Sequence, residues 1–170
     1  MIKIYFSKMK ANATIPKKRI EDAGYDIFPC FEEDYIMINP NETVKIPTGI
    51  ASCFEEDYCF IVKERGSTGS IGLGQRSGVI DSGYRGEWLL PITNHSTIPV
   101  IIVKNEFKST KAYEELIKTH NIIEYDYSKA VAQAILLPVP RTDVIEVSYE
   151  ELLNFKSERM HGGFGSTNCK

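Results

Sequence analysis

Five short segments combine side chains suited to binding or transforming a phosphorylated ligand. Asp22-Ala23-Gly24-Tyr25-Asp26 is turn-prone and ends in a carboxylate. Glu64-Arg65-Gly66-Ser67-Thr68-Gly69-Ser70 joins a guanidinium to small hydroxyls and glycines, a composition that grips phosphate oxygens. Gly78-Val79-Ile80-Asp81-Ser82-Gly83-Tyr84-Arg85-Gly86-Glu87 holds an Asp and a Tyr in a hairpin-like setting, and Ala130-Val131-Ala132-Gln133 sets a polar amide in an apolar strand. The last segment, Arg159 to Thr167, gathers Arg159, Phe164, Gly165, Ser166 and Thr167. Each alone has a plainer explanation. Gly66 and Gly69 shape a loop, Asp81 forms a turn, Gln133 is a satisfied buried amide and Phe164 pins the C-terminal end. Walker and Rossmann patterns are absent.

Short strands must position these segments. Ile2, Ile4 and Phe6 alternate with Lys3, Tyr5 and Ser7, the period of a half-buried strand. Further β-rich runs cover Tyr35–Ile38, Thr43–Ile46, Tyr58–Lys63, Glu87–Thr93, Val100–Lys104, Val131–Val139 and Asp143–Val147, punctuated by Pro, Gly and Asn. Many short strands without βαβ alternation predict an all-β sandwich or barrel. Two short surface helices interrupt the pattern. Ser109–His120 places Ala112, Tyr113, Leu116 and Ile117 on one face, and Ser148–Glu151 reads as a capping box. Residues 156–170 turn rich in Gly, Ser and charge, which predicts a mobile arm over 158–170 beyond a domain at 1–157.

The chain has 170 residues, 42% hydrophobic and 25% charged, enough for one globular core. A net charge of −3, from 20 basic and 23 acidic residues, argues against a duplex nucleic-acid binder but not against a small phosphorylated ligand. No apolar run approaches a membrane span, and the alternating start lacks a signal peptide's apolar core, so a cytoplasmic location is expected. The four cysteines show no zinc-ligand spacing and read as reduced thiols.

Taken together and in order, the five segments resemble the motifs of the trimeric dUTP diphosphatases (dUTPases). The most specific pieces are AGYD at 23–26, GVIDSGYRG at 78–86, AVAQ at 130–133 and GGFGST at 162–167. The resemblance implies a jelly-roll-like β-barrel and a homotrimer with active sites at subunit interfaces. The first, second and fourth motifs would come from one subunit, the third from a neighbour and the fifth from the remaining one. The reaction would be Mg²⁺-assisted hydrolysis of dUTP to dUMP and diphosphate, lowering dUTP and supplying dUMP for dTMP synthesis. Asp81 would be the general base that orients a water for in-line attack on the α-phosphorus. Tyr84 would exclude a ribose 2′-hydroxyl, and the backbone of Gly78, Val79 and Ile80 would read uracil. Arg65, Gly66, Ser67 and Gln133 would contact phosphates. Asp26 would support either the metal's water shell or Arg65. In the tail, Arg159, Ser166 and Thr167 would hold the γ-phosphate while Phe164 stacks on uracil beside Gly165.

Departures from the pattern mark this chain. The usual Arg-Ser-Gly of the second motif is here Arg65-Gly66-Ser67, and Ala130 stands where the fourth motif carries Arg, with Lys129 as a substitute charge. Met160 follows the tail Arg in place of Gly. The 104–128 connection is longer than usual and resembles inserts of phage-encoded members. It reads as a variable surface loop with a helix, of which residues 106–124 are expected to be dispensable for hydrolysis, or as a surface for a regulatory protein partner. A rival activity is dCTP deamination, alone or combined with dUTP hydrolysis, for which Glu64 would be the acid–base group.

Overall fold

The structure, a computed structural model, describes residues 2–157. The tail residues Arg159, Phe164, Gly165, Ser166 and Thr167, and with them the expected arm, lie outside the described residues. The chain divides into two compact units, Met1–Pro140 and Arg141–Lys170.

In the first unit the alternating pattern becomes strands β1 (Ile4–Lys8), β2 (Gly24–Ile27), β3 (Tyr35–Ile38), β4 (Thr43–Pro47), β5 (Ile50–Phe54) and β6 (Tyr58–Lys63). They are followed by β7 (Leu73–Gln75), β8 (Val79–Asp81), β9 (Leu89–Asn94), β10 (Val100–Val103), β11 (Ile123–Asp126) and β12 (Ala132–Pro138). Three short helices punctuate them: α1 (Gly66–Gly69), α2 (Asn105–Lys108) and α3 (Lys111–Thr119). The strands form four small sheets, ordered β1-β5, β11-β10-β3, β2-β12-β6-β8 and β4-β9-β7. The all-β, jelly-roll-like expectation holds. In the second unit α4 (Tyr149–Leu153) carries the expected capping box, Ser148 Oγ accepting from Glu151 N at 3.1 Å and Glu151 Oε2 from Ser148 N at 2.9 Å. The expected strand at Asp143–Val147 does not form. No partner strand pairs with it among the described residues, and an unpaired strand leaves its backbone groups unsatisfied by protein.

The main core is aromatic. Phe60 and Trp88 are fully buried, with ring centroids 5.3 Å apart, and Phe6 and Phe54 pack edge-on or tilted around them. The indole N–H of Trp88 donates to Ser52 Oγ at 3.1 Å, so its polar atom is satisfied.

The 104–128 segment is not a loop. β10 and β11 pair in parallel, Val100 opposite Ile123 and Val103 opposite Asp126. A parallel pair needs a long crossover connection, and the residues between β10 and β11 supply it through α2 and α3. The chain therefore contains one βαβ crossover that its β-rich pattern conceals. Tyr113 and Leu116 of α3 turn inward to pack with Ile101, Val103, Tyr35, Met37, Phe107 and Ile122. Ala112 and Ile117, expected on the same face, are exposed on the outer side. No helix among the described residues is long and apolar enough to cross a membrane.

Candidate active site

Sheet register gathers three of the five segments. Gln133 on β12 lies opposite Asp26 on β2 and Lys63 at the end of β6, and the chain leaves β6 through Glu64 and Arg65 into α1. Glycine at 24 leaves room at this crossing, since a Cβ there would press on the Gln133 side chain, 2.6 Å from Oε1 and 3.0 Å from its Cβ. Arg65 grips Asp26 with two nitrogens, Nε to Oδ1 at 2.9 Å and Nη2 to Oδ2 at 3.4 Å, while Nη1 donates to the Ala130 carbonyl at 3.4 Å. Both side chains of this pair are about a third exposed, 33% and 39%, so the fork is preset yet faces solvent. Asp26 is thus an ion-pair partner of Arg65. Gln133 Nε2 donates to the Glu64 carbonyl at 2.8 Å, which satisfies part of its amide within the protein. Gly66 is exposed and a Cβ on it would meet nothing within 4 Å, so steric need does not explain glycine there.

These residues line an open cleft of about 1040 Å³, rimmed on its other side by Lys17, Lys18, Arg19 and Asp22. The basic triplet Lys17-Lys18-Arg19 was not singled out from sequence. A backbone bridge brings it to the site: Asp26 N donates to the Lys17 carbonyl at 2.9 Å. Arg19 is paired with Asp22, Nε to Oδ2 at 2.9 Å and Nη2 to Oδ1 at 3.1 Å, and this bonding holds the Asp22 carboxyl below its ordinary value. The Lys17 ammonium has no partner among the described residues. Tyr125 was also missed, since it falls in the supposed insert. Its hydroxyl lies 3.0 Å from Ser67 Oγ and 2.7 Å from the Ala130 carbonyl it donates to.

The third segment occupies a different place. β8 pairs with β6 on one side only and is the edge of its sheet, so its outward amides and carbonyls are open. Gly78 packs its backbone on Val62, accepting from Val62 N at 2.6 Å, where a Cβ would collide with the Val62 carbonyl. Ile80 points into the core while Val79 and Asp81 point out. Asp81 is exposed and makes no hydrogen bond or ion pair through its carboxylate among the described residues. Beyond it Tyr84 N donates to the Asp81 carbonyl at 3.1 Å, closing the turn, and the Tyr84 hydroxyl donates to the Glu87 carbonyl at 3.0 Å across Gly86. Glu87 in turn accepts from Gly49 N at 2.7 Å. Val79, Ile80, Asp81, Tyr84, Glu87 and Leu89 line a pocket of about 190 Å³.

The two patches are far apart in one chain. Asp81 lies opposite Cys59, four residues back along β6 from Lys63, and β8 is three strands from β2. Strand spacing and rise per residue put Asp81 about 20 Å from Asp26. One substrate's phosphates cannot touch both. Lys129 does not line the cleft, is exposed, and lends its charge to Asp126. Glu64 also faces away from the cleft. Its Oε1 accepts from Gln75 N at 2.8 Å and its Oε2 pairs with Lys63 at 3.3 Å. Partial burial pushes this carboxyl up, but the backbone N–H groups of Glu64 and Gln75 and the Lys63 ammonium outweigh it and hold it below the ordinary value.

The family model described as dUTPase matches residues 11–106. The chain is 30% identical over 149 residues to the deoxyuridine 5'-triphosphate nucleotidohydrolase of Gloeobacter violaceus, covering 86% of this chain and 82% of that protein. With the enzyme of the same name from Nautilia profundicola it shares 33% identity over 170 residues, covering 98% and 99%. Its fold is similar to that of the Staphylococcus bacteriophage 80alpha dUTPase, solved with dUpNHpp, with a TM-score of 0.70 at 22% identity over 96% of this chain and 97% of that one.

Proposed function

We propose, from the premise that the chain belongs to the dUTPase family, that it hydrolyses dUTP to dUMP and diphosphate at sites assembled between copies of itself. The observation that carries the assembled site is the separation of Asp81 from the Arg65 cleft. A substrate gripped by Arg65 meets a carboxylate base only if a neighbouring subunit presents its own Asp81, and a closed trimer gives each cleft one such neighbour.

On this reading the α-, β- and γ-phosphates lie in the cleft. Arg65, the amides of Gly66 and Ser67, and the remaining N–H of Gln133 hold them, and Lys17 and Lys18 add positive charge at the rim. The first N–H groups of a helical turn such as α1 have no partner within the turn and can meet phosphate oxygens. The base lies along the open edge of β8, where backbone donors and acceptors alternate as the uracil edge requires. Cytosine reverses that pattern and would leave groups unpaired at about 1–3 kcal/mol each. Tyr84, fixed to the Glu87 carbonyl, packs on the deoxyribose and leaves no room for a 2′-hydroxyl. The exposed Asp81 carboxylate accepts a proton from the attacking water, the water oxygen bonds to the α-phosphorus, and diphosphate departs on the opposite side. Arg159, Phe164, Gly165, Ser166 and Thr167 complete the contacts to the γ-phosphate and the base.

The donor set fits Mg²⁺ carried by the triphosphate. Asp26 at the cleft is already gripped by Arg65 through both oxygens, so Mg²⁺ would be held mainly by the phosphate oxygens and its own waters, which it keeps readily, with Asp26 reaching it through a water. When bound there, the ion neutralises phosphate charge. Hydrolysis by this chain lowers dUTP and yields dUMP for dTMP synthesis. Deamination is not favoured, because Glu64 is held as a carboxylate against Gln75 and Lys63, away from the cleft. A protein partner, if one binds the 104–128 segment, meets its outer face, since the inner face is packed on β10 and β3. Release of diphosphate and of ammonia from dUTP and dCTP tests the activity. Diphosphate from dUTP is expected, and ammonia from dCTP would overturn the assignment.

A further inference from the structure

We infer that Tyr125 is a positioning residue for the phosphate-binding turn, and that the Ser67 hydroxyl holds that turn rather than the phosphate; this rests on the phosphate role proposed for Arg65 to Ser67. Tyr125 is 5% exposed and is delivered by β11, the strand that the crossover brings alongside β10. Its hydroxyl has one hydrogen. The Ala130 carbonyl, 2.7 Å away, can only accept, so that hydrogen points at Ala130. The 3.0 Å contact with Ser67 then requires the Ser67 hydroxyl to be the donor. Ser67 also has one hydrogen, so while this bond lasts it has none for a phosphate oxygen, which at neutral pH needs a donor. Arg65 Nη1 reaches the same Ala130 carbonyl at 3.4 Å, using its second lone pair. Ser67, Tyr125, Ala130 and Arg65 therefore form one network that fixes both ends of the Arg65–Ser67 segment. What the turn offers the phosphate is its backbone amides and the Arg65 fork.

Steady-state kinetics and hydrogen exchange on Tyr125→Phe, Ser67→Ala and the double variant test this. Loss of the shared bond should raise KM for dUTP about fivefold in either single variant, with kcat changed by less than about twofold. The double variant should be no worse than the singles, because both remove the same bond. Amide exchange at residues 66–70, measured on the nucleotide-free protein, should quicken in each variant. Ser67→Thr, which keeps the hydroxyl, should restore both readouts. A Ser67→Ala effect larger than that of Tyr125→Phe and additive with it would place the Ser67 hydroxyl on the substrate and overturn the inference. Unchanged exchange in both single variants would overturn it as well. Ser67 is exposed, so its variants keep the test decisive if loss of the buried hydroxyl unfolds Tyr125→Phe. An unaltered chain inactive on dUTP would overturn the functional reading alone, since the exchange measurement needs no substrate.

Discussion

At the scale of the residue, Asp81 is available as a base because the turn behind it consumes only its backbone carbonyl. The carboxylate is left free of partners among the described residues, at the end of an edge strand. Asp81→Asn keeps the shape but removes the proton acceptor. It should lower kcat about 100-fold or more while dUpNHpp still binds in calorimetry; near-normal turnover would remove Asp81 from the mechanism. Lys17 and Lys18 act differently, as exposed charges at the cleft rim. Lys17→Gln with Lys18→Gln should raise KM for dUTP about two- to fivefold, leave kcat unaltered and flatten the dependence of KM on salt. A salt dependence identical to that of the parent would mean the triplet is only a solvated face.

At the scale of the element, the crossover from β10 to β11 has its own small core and its own polar anchor. The Tyr113 hydroxyl interacts with the carboxylate of Glu124, which also pairs with Lys108 at 3.1 Å. Burial, and then this carboxylate, push the Tyr113 phenol up to about 12. Tyr113's hydrogen bond is the largest influence on Glu124. Together with Lys108 it outweighs partial burial and holds that carboxyl below its ordinary value. A carboxylate so depressed adds stability above its unfolded value and loses it as pH falls through the folded one. Tyr113→Phe should therefore lower Tm by about 2–4 °C at neutral pH, with the gap to the parent narrowing in acid. Melting curves recorded from neutral pH into acid give the comparison, and a gap independent of pH would mean that Glu124 is not the partner. The strand that ends this crossover also carries Tyr125, one residue beyond the 106–124 stretch expected to be dispensable, to its contact with Ser67.

At the scale of the whole molecule, the distance between Arg65 and Asp81 becomes a statement about assembly. If each site takes Arg65 from one subunit and Asp81 from another, two inactive variants can rescue each other. Arg65→Ala and Asp81→Asn chains, co-expressed with different tags in equal amounts, should form mixed trimers in which about one site in three carries both native groups. Activity in doubly tag-selected protein, absent from either variant alone, is the expected result. No recovery would mean that both groups act within one chain.

Local physics wrote much of this protein into its sequence. Alternation of apolar and polar residues marked β1, β-rich runs marked β3, β4, β6, β9, β10 and β12, and Ser148 with Glu151 marked the start of α4, because these signals depend on residues a few positions apart. The chemistry of Asp81, Arg65 and Gln133 was legible for the same reason, as residue types within short motifs. Their arrangement was not. The bonds that make the cleft join residues 39 positions apart, as in Arg65 and Asp26, or 58 apart, as in Ser67 and Tyr125. Such pairs are set by strand register, and register follows from how distant faces pack. The backbone bridge that brings Lys17 to Asp26, the parallel pairing that makes 104–128 a crossover, and the placement of Asp81 on the far strand of the sheet are all of this kind. Sequence alone determined which groups could do the chemistry; tertiary structure decided which of them meet, because proximity between distant segments exists only once the sheets have paired.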